Sequence, residues 1–139
     1  MDFMRVISEE VYGIPPQQVI GSSLKMKFVE KERKHLLWIE PQLLAFCDED
    51  DKPVEIALHI GKRPVFAAGN VRSGGDIAHL TYCKGRKGPS FQLLINHDDD
   101  KREYAYAEPK GQSLKAAREQ GWNVVSMKDD WQTVFAENK

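Results

Sequence analysis

Lys62-Arg63-Pro64-Val65-Phe66-Ala67-Ala68-Gly69-Asn70-Val71-Arg72-Ser73-Gly74-Gly75-Asp76 is the stretch whose reading decides the fold. A short apolar run at 65–68 stops at Gly69-Asn70, crosses a Gly-rich turn and gives way to a helical pattern carrying Ile77, Leu80 and Thr81. The order is strand, tight loop, helix N-terminus. In an open parallel sheet, ligands bind beyond the carboxyl ends of the strands, so Asn70 and Asp76 both fall at that rim. Two oxygen-bearing side chains on such a loop suit a hard cation such as Mg²⁺, which takes carboxylate and carbonyl oxygens and often bridges to a substrate phosphate. They equally suit a structural role, with Asn70 filling a turn and Asp76 capping the helix.

Downstream, apolar runs at 91–96 and 123–127 alternate with helical patterns at 76–82 and 113–120, the last stopped by Gly121. Continuous apolar strands alternating with helices predict a parallel sheet buried on both faces. A final helix is expected at 129–135, packing Trp131, Val134 and Phe135 on the sheet. Upstream, residues 2–12 place Phe3, Val6, Ile7 and Val11 at helical spacing before Gly13. A turn through Pro15-Pro16 leads to a short strand expected at 19–21. Segments 24–30 and 35–40 alternate apolar and polar residues across Lys31-Glu32-Arg33-Lys34 and read as a β-hairpin. The acidic run Asp48-Glu49-Asp50-Asp51 reads as a solvated loop. Lys52-Pro53 then opens a helix that Asp51 would cap, proline being well suited to a first turn. The expectation is one α/β domain over residues 1–139, a three-layer, Rossmann-like, mainly parallel sheet with a hairpin insertion at 24–40.

The chain has 139 residues, 41% hydrophobic and 29% charged, with a formal net charge of −1, which suits a globular domain with a core of its own. The dispersed lysines and arginines give no electrostatic case for nucleic acid or an anionic membrane. No apolar run approaches membrane-spanning length. Cys47 and Cys83 lack the spacing of a zinc site or a disulfide framework and read as free thiols. Among the four histidines, His35, His59 and His79 have no second ligand at useful spacing and read as surface or structural groups. His97 ends the second core strand beside Asp98, Asp99 and Asp100, where it either lines the crevice rim or belongs to an ordinary Asp-rich turn. Arg72, on the Gly-rich loop, is a candidate for reaching a substrate phosphate.

Several segments together resemble the C-terminal two-thirds of a phosphoserine-phosphatase-like hydrolase of the haloacid dehalogenase superfamily. They are Val11-Tyr12-Gly13-Ile14-Pro15-Pro16, Lys52-Pro53 at a helix start, Gly69-Asn70 through Gly75-Asp76 after a strand, Ile95-Asn96-His97-Asp98-Asp99 with Arg102-Glu103-Tyr104-Ala105-Tyr106, and Trp122-Asn123-Val124-Val125-Ser126-Met127-Lys128-Asp129-Asp130-Trp131. The resemblance implies an aspartate nucleophile, a second aspartate two residues on as acid and base, and Mg²⁺. Phosphoryl transfer needs mainly positioning and positive charge against developing oxygen charge. Carried onto this chain, Lys52 matches the phosphate-holding lysine, Asp76 the acidic metal ligand and Asn70 the residue opening that loop. Superfamily loops commonly carry aspartate where Asn70 stands, and the spacing from Asn70 to Asp76 is longer than usual, so metal affinity would rest on Asp76.

No DxDx[TV] segment follows an apolar strand here, since Asp48-Glu49-Asp50 continues into Asp51 and Lys52 with no hydroxyl residue after it. The resemblance therefore implies that the nucleophile and the serine or threonine signature lie before residue 1, and that this chain alone does not turn over phosphate esters. Three readings remain open. The first is Mg²⁺-dependent phosphomonoester hydrolysis with a small phosphorylated substrate, this chain supplying the metal and phosphate half. The second is a catalytically dead binding module that dimerises by strand exchange or takes up a missing N-terminal segment. The third is a flavodoxin-like or receiver-like domain in which Asn70 and Asp76 are structural. Trp38 and Phe28 of the hairpin would either select substrate or stabilise the strand pair. The expected compartment is cytoplasmic by default, or periplasmic if a targeting segment lies upstream.

Overall fold

A computed structural model describes residues 1–72, 74–106 and 108–135. The chain divides into two compact units, Met1–His59 and Ile60–Lys139. It is a mixed α/β protein with four α-helices and a three-stranded parallel sheet among the described residues.

In the second unit the quoted stretch forms β3 (Phe66–Asn70), which leads to α3 (Ile77–Lys84), β4 (Phe91–Asn96), α4 (Gln112–Gln120) and β5 (Asn123–Ser126). The strands stand side by side in chain order, β3-β4-β5, all parallel, with Phe66 opposite Phe91 and Leu94 opposite Val124. A parallel pair needs a crossover, and crossovers are right-handed. Two successive right-handed crossovers in the same direction carry their helices to one face. Accordingly α3 touches β3, β4 and α4. The core lies under them: Ala67, Val71, Leu80, Cys83, Leu94, Ala116, Ala117 and Trp122 are buried, with Ile77 and Leu114 packed alongside. Leu80, Val71 and Leu94 are fully enclosed, each contributing about 1.5–3 kcal/mol relative to exposure.

The expected burial of the sheet on both faces is corrected. Ala67, Gln92 and Leu94 are buried, but Phe66 and Phe91 are half-exposed and stack on each other at 5.9 Å. Within this unit the described residues form two layers, sheet and helices. The expected final helix at 129–135 is also corrected, since those residues form turns and Trp131 and Phe135 are exposed. The cause is the Arg102 guanidinium. It donates to the carbonyls of Met127 (2.7 Å), Lys128 (2.9 Å), Trp131 (2.6 Å) and Gln132 (3.2 Å). Asp130 accepts the Ser126 N–H at 2.8 Å, which completes a turn in place of a helix.

The first unit holds α1 (Asp2–Tyr12), a 3₁₀ turn (Pro16–Gln18), β1 (Ser23–Lys31), β2 (Lys34–Ala45) and most of α2 (Asp51–Ile60). The strand expected at 19–21 is absent, and the chain there is irregular. Arg5 on α1 donates to Pro16 O (3.0 Å) and Val19 O (3.3 Å), taking up carbonyls that a strand would have paired. The hairpin is present and longer than expected. Its turn residues Glu32 (φ 53°) and Arg33 (φ 62°) are both left-handed, the signature of a two-residue type I′ turn that matches strand twist. Near Pro41 the register jumps, Met26 facing Ile39 and Leu24 facing Leu43. Proline cannot donate to the ladder and sits at such irregularities. The helix expected after Lys52-Pro53 is α2, but Asp51 is its first residue and does not precede it as a cap.

Candidate functional site

The carboxyl ends of β3, β4 and β5 put Asn70, Asn96 and Ser126 on one rim. Two strand-to-loop transitions there carry the polar chemistry.

The first follows β3. Asp76 occupies the N-cap position of α3, yet its side chain makes no capping bond to the helix. Its Oδ2 instead accepts the Asn70 backbone N–H at 2.9 Å. The carboxylate lies against Gly69 so closely that a Cβ there would stand 2.6 Å from Asp76 Cβ and 2.7 Å from Oδ2. Glycine is required because the acid occupies the space of a side chain. One turn into α3, His79 Nδ1 is 3.6 Å from Asp76 Oδ1, while its Nε2 is 3.0 Å from Ala68 O. The Nδ1 atom is buried without a hydrogen-bond partner.

The Gly-rich loop is pinned from below by Glu108, which is buried. Its carboxylate accepts the Gly74 N–H at 2.6 Å, the Ser113 N–H at 2.7 Å and the Ser113 hydroxyl. A carboxylate on the first-turn amides of α4 complements the helix dipole. Gly111, the N-cap residue of α4, offers no side chain for this.

The second transition follows β4. His97 Nδ1 is 3.0 Å from both Glu103 oxygens, and its ring stacks on Tyr106 at 4.5 Å. The Tyr106 phenol is pushed up by burial, with Glu103 and Asp76 adding to the rise and Arg72 opposing it. It stays protonated at neutral pH and can donate. Arg72 and Asp76, on the loop after β3, therefore act electrostatically on the phenol whose ring stacks on His97 after β4. Asp98 ties the ends of β4 and β5 together, accepting from Asn96 Nδ2 (3.0 Å), the Ser126 hydroxyl (2.8 Å) and the Lys128 N–H (3.1 Å). Burial raises the Asp98 pKa, but these hydrogen bonds outweigh it and leave the carboxyl below its ordinary value.

Of the residues singled out from sequence, Asn70, Asp76, Arg72 and His97 all lie in the second unit, on the loops at this rim. Asn70 meets Asp76 through its main chain. Lys52 belongs to the first unit, in the first turn of α2, with its Nζ 3.8 Å from Asp48 Oδ1. Sequence reading set His79 aside as a surface or structural group, named Tyr106 only within a longer segment and gave Glu108 no role. Asp76-x-x-His79 across a helix start was the available signal, since residues three apart share a helix face. Glu108 and Tyr106 carry no local signal. Neither thiol is a nucleophile candidate. Burial, then Glu55, pushes the Cys47 thiol up. Cys83 is fully buried, with its Sγ 3.4 Å from Pro64 O.

Among the described residues no group of three or more His, Cys, Asp or Glu is arranged to hold a metal ion. Histidine meets carboxylate in three pairs among the described residues: His97 with Glu103 at 3.0 Å, His59 with Glu55 at 3.4 Å and His79 with Asp76 at 3.6 Å. Mg²⁺ commonly takes only one or two carboxylates, with water and phosphate completing its shell, so a single fixed acid is a compatible donor. No helix among the described residues is long and apolar enough to cross a membrane. No family model matches the chain, and no curated protein matches it.

Proposed function

We propose that this chain carries the metal and phosphate half of a Mg²⁺-dependent phosphomonoester hydrolase of the haloacid dehalogenase superfamily. The observation that supports this reading is the Asp76 carboxylate, fixed at the carboxyl end of a parallel strand by the Asn70 N–H and by the missing side chain of Gly69. A helix cap would have turned to the α3 amides, and this acid does not. Asp76 and the Asn70 loop would hold the cation. When bound, Mg²⁺ offsets charge developing on the phosphoryl oxygens. Arg72 and His97 would meet the substrate.

In this reading the sheet continues beyond the free edge of β3, where the nucleophile-bearing strand pairs, and the face carrying Phe66 and Phe91 is covered by a third layer. The 139 residues contain no Asp-x-Asp-x-Thr/Val segment after an apolar strand. The chain alone is therefore expected to leave p-nitrophenyl phosphate intact.

Thermal unfolding in Mg²⁺, with and without inorganic phosphate, tests the reading. A cation at 100 times its Kd adds about 2.7 kcal/mol of stability. That gain should vanish in Asp76→Asn and in Gly69→Ala, whose methyl drives the carboxylate off the Asn70 N–H. A Mg²⁺ gain that survives Asp76→Asn would remove the metal site from the proposal. One observation favours a second reading, a binding or dimerisation module: β3 has a partner on one side only among the described residues.

A further inference from the structure

We propose that the amino end of β3 carries a second binding site, a cationic cleft that takes a phosphomonoester with an apolar body. It lies at the opposite end of the strand from the Asp76 rim, roughly 13 Å away along five residues. The metal-site reading is not needed for it.

The fold assembles this cleft from two dipeptides that the sequence keeps apart. Lys62-Arg63 leads into β3, and Arg86-Lys87 follows α3. A parallel crossover runs out along the strand and returns along the helix, so both dipeptides arrive at one end. They line a cleft of about 610 Å³ whose apolar part includes Ile60, Pro64 and Val65. That volume lies in the range of small-molecule sites, and Ile60 and Val65 are exposed in it.

Three observations point to a phosphate. First, four positive charges converge in a chain whose formal net charge is −1. Among the described residues no carboxylate lies within ion-pair distance of any of the four. Low-dielectric walls focus such a field and raise the local concentration of an anion. Second, the two guanidiniums are fixed in advance. Arg63 Nη1 donates to Tyr82 O at 2.6 Å, and its charge lies 4.1 Å over the Tyr82 ring. Arg86 Nη1 donates to Pro89 O (3.1 Å) and Lys87 O (3.3 Å). These bonds engage Nη1 alone on each and reach neutral acceptors alone, which leaves Nε and Nη2 for a forked contact with phosphate oxygens. Donors already held lose little freedom on binding. Third, the backbone makes room for this arrangement: a Cβ on Gly85 would stand 2.9 Å from Arg63 Nη1. A phosphomonoester carries about −1.5 to −2 at neutral pH, a closer match to two guanidiniums and two ammoniums than one carboxylate offers. Ile60, Pro64 and Val65 then select the body of the ligand, which inorganic phosphate lacks.

1-Naphthyl phosphate is the probe, titrated by calorimetry and ¹⁵N–¹H spectroscopy into the 139-residue chain without Mg²⁺. One equivalent should bind and move the amides of Arg63, Val65, Arg86 and Lys87. 1-Naphthol and inorganic phosphate should each bind at least about tenfold more weakly, since each lacks one half of the recognition. Lys62→Gln combined with Lys87→Gln, both at exposed positions that the core does not use, should weaken the probe at least about tenfold. Gly85→Ala should weaken it with no change of charge. Lys31→Gln combined with Lys34→Gln, at the hairpin turn, removes the same charge elsewhere and should leave affinity unchanged. An equal loss in the two lysine pairs would show general attraction of an anion and overturn the site. Shifts confined to residues 70–76 would place the phosphate at the Asp76 rim and overturn it too, as would failure of the probe to bind.

Discussion

Ser126 is a small residue with a large share of the rim's electrostatics. Its hydroxyl donates to both oxygens of Asp98, at 3.0 and 2.8 Å, and ties the end of β5 to the end of β4. The Asp98 carboxyl lies below its ordinary value despite burial, so its charge favours the folded state. The stabilisation is complete above the unfolded pKa of about 3.9 and is lost as pH falls through the lower folded value. Ser126→Ala should raise the Asp98 pKa, move that loss to higher pH and lower stability at neutral pH by about 1–2 kcal/mol. Urea unfolding across the acid range measures both, and an unshifted acid limb would refute the assignment. At this scale the sequence was legible where chemistry is local. Asn70 and Asp76 follow from a strand, a Gly-rich loop and a helix start. His79 did not stand out, because its partners are Asp76 and a main-chain carbonyl 11 residues upstream.

Arg102 shows how one side chain overrides an element. The pattern at 129–135 is helical in sequence, but Arg102 pairs with the buried Asp99 and reaches four carbonyls between Met127 and Gln132. Hydrogen bonds from a charged group contribute about 1.5–3 kcal/mol each against little for a marginal short helix. Arg102→Ala should free that segment. The expected outcome is faster amide exchange at 127–132 and a lower unfolding temperature, since the substitution also strands the Asp99 carboxylate. Unchanged exchange there would show that the segment is held otherwise. The sequence announced β3, β4, β5, α3, α4 and the hairpin because each is set by periodicity and turn residues. It could not announce a contact made across 25–30 residues.

At the scale of the molecule, much apolar surface lies open. Phe28, Leu37, Trp38, Leu43 and Leu44 of the hairpin are each more than half exposed, as are Val65 and Phe66 at the start of β3. Within the second unit, β3 pairs on one side only among the described residues and has Val65 and Phe66 exposed at its start, which makes it a template for another chain. Sedimentation of the 139-residue chain should show concentration-dependent association, weakened in Val65→Lys, where the exposed position accepts the charge without disturbing the core. A clean monomer at all concentrations would argue against the binding-module reading. Alternation of strands and helices made the parallel sheet legible from the sequence. The bare face was not legible, because continuous apolar strands read as covered on both sides whatever does the covering.

The side-by-side order of β3, β4 and β5 follows the order of the chain. During synthesis each strand therefore emerges next to a neighbour already laid down, and no later strand has to be threaded between two earlier ones. Assembly can proceed vectorially as the polypeptide leaves the ribosome, each crossover helix closing over its strand pair before the next begins. Arg102 has Asp99 beside it from the start, but its tether to the carbonyls of residues 127–132 forms only when those residues are made.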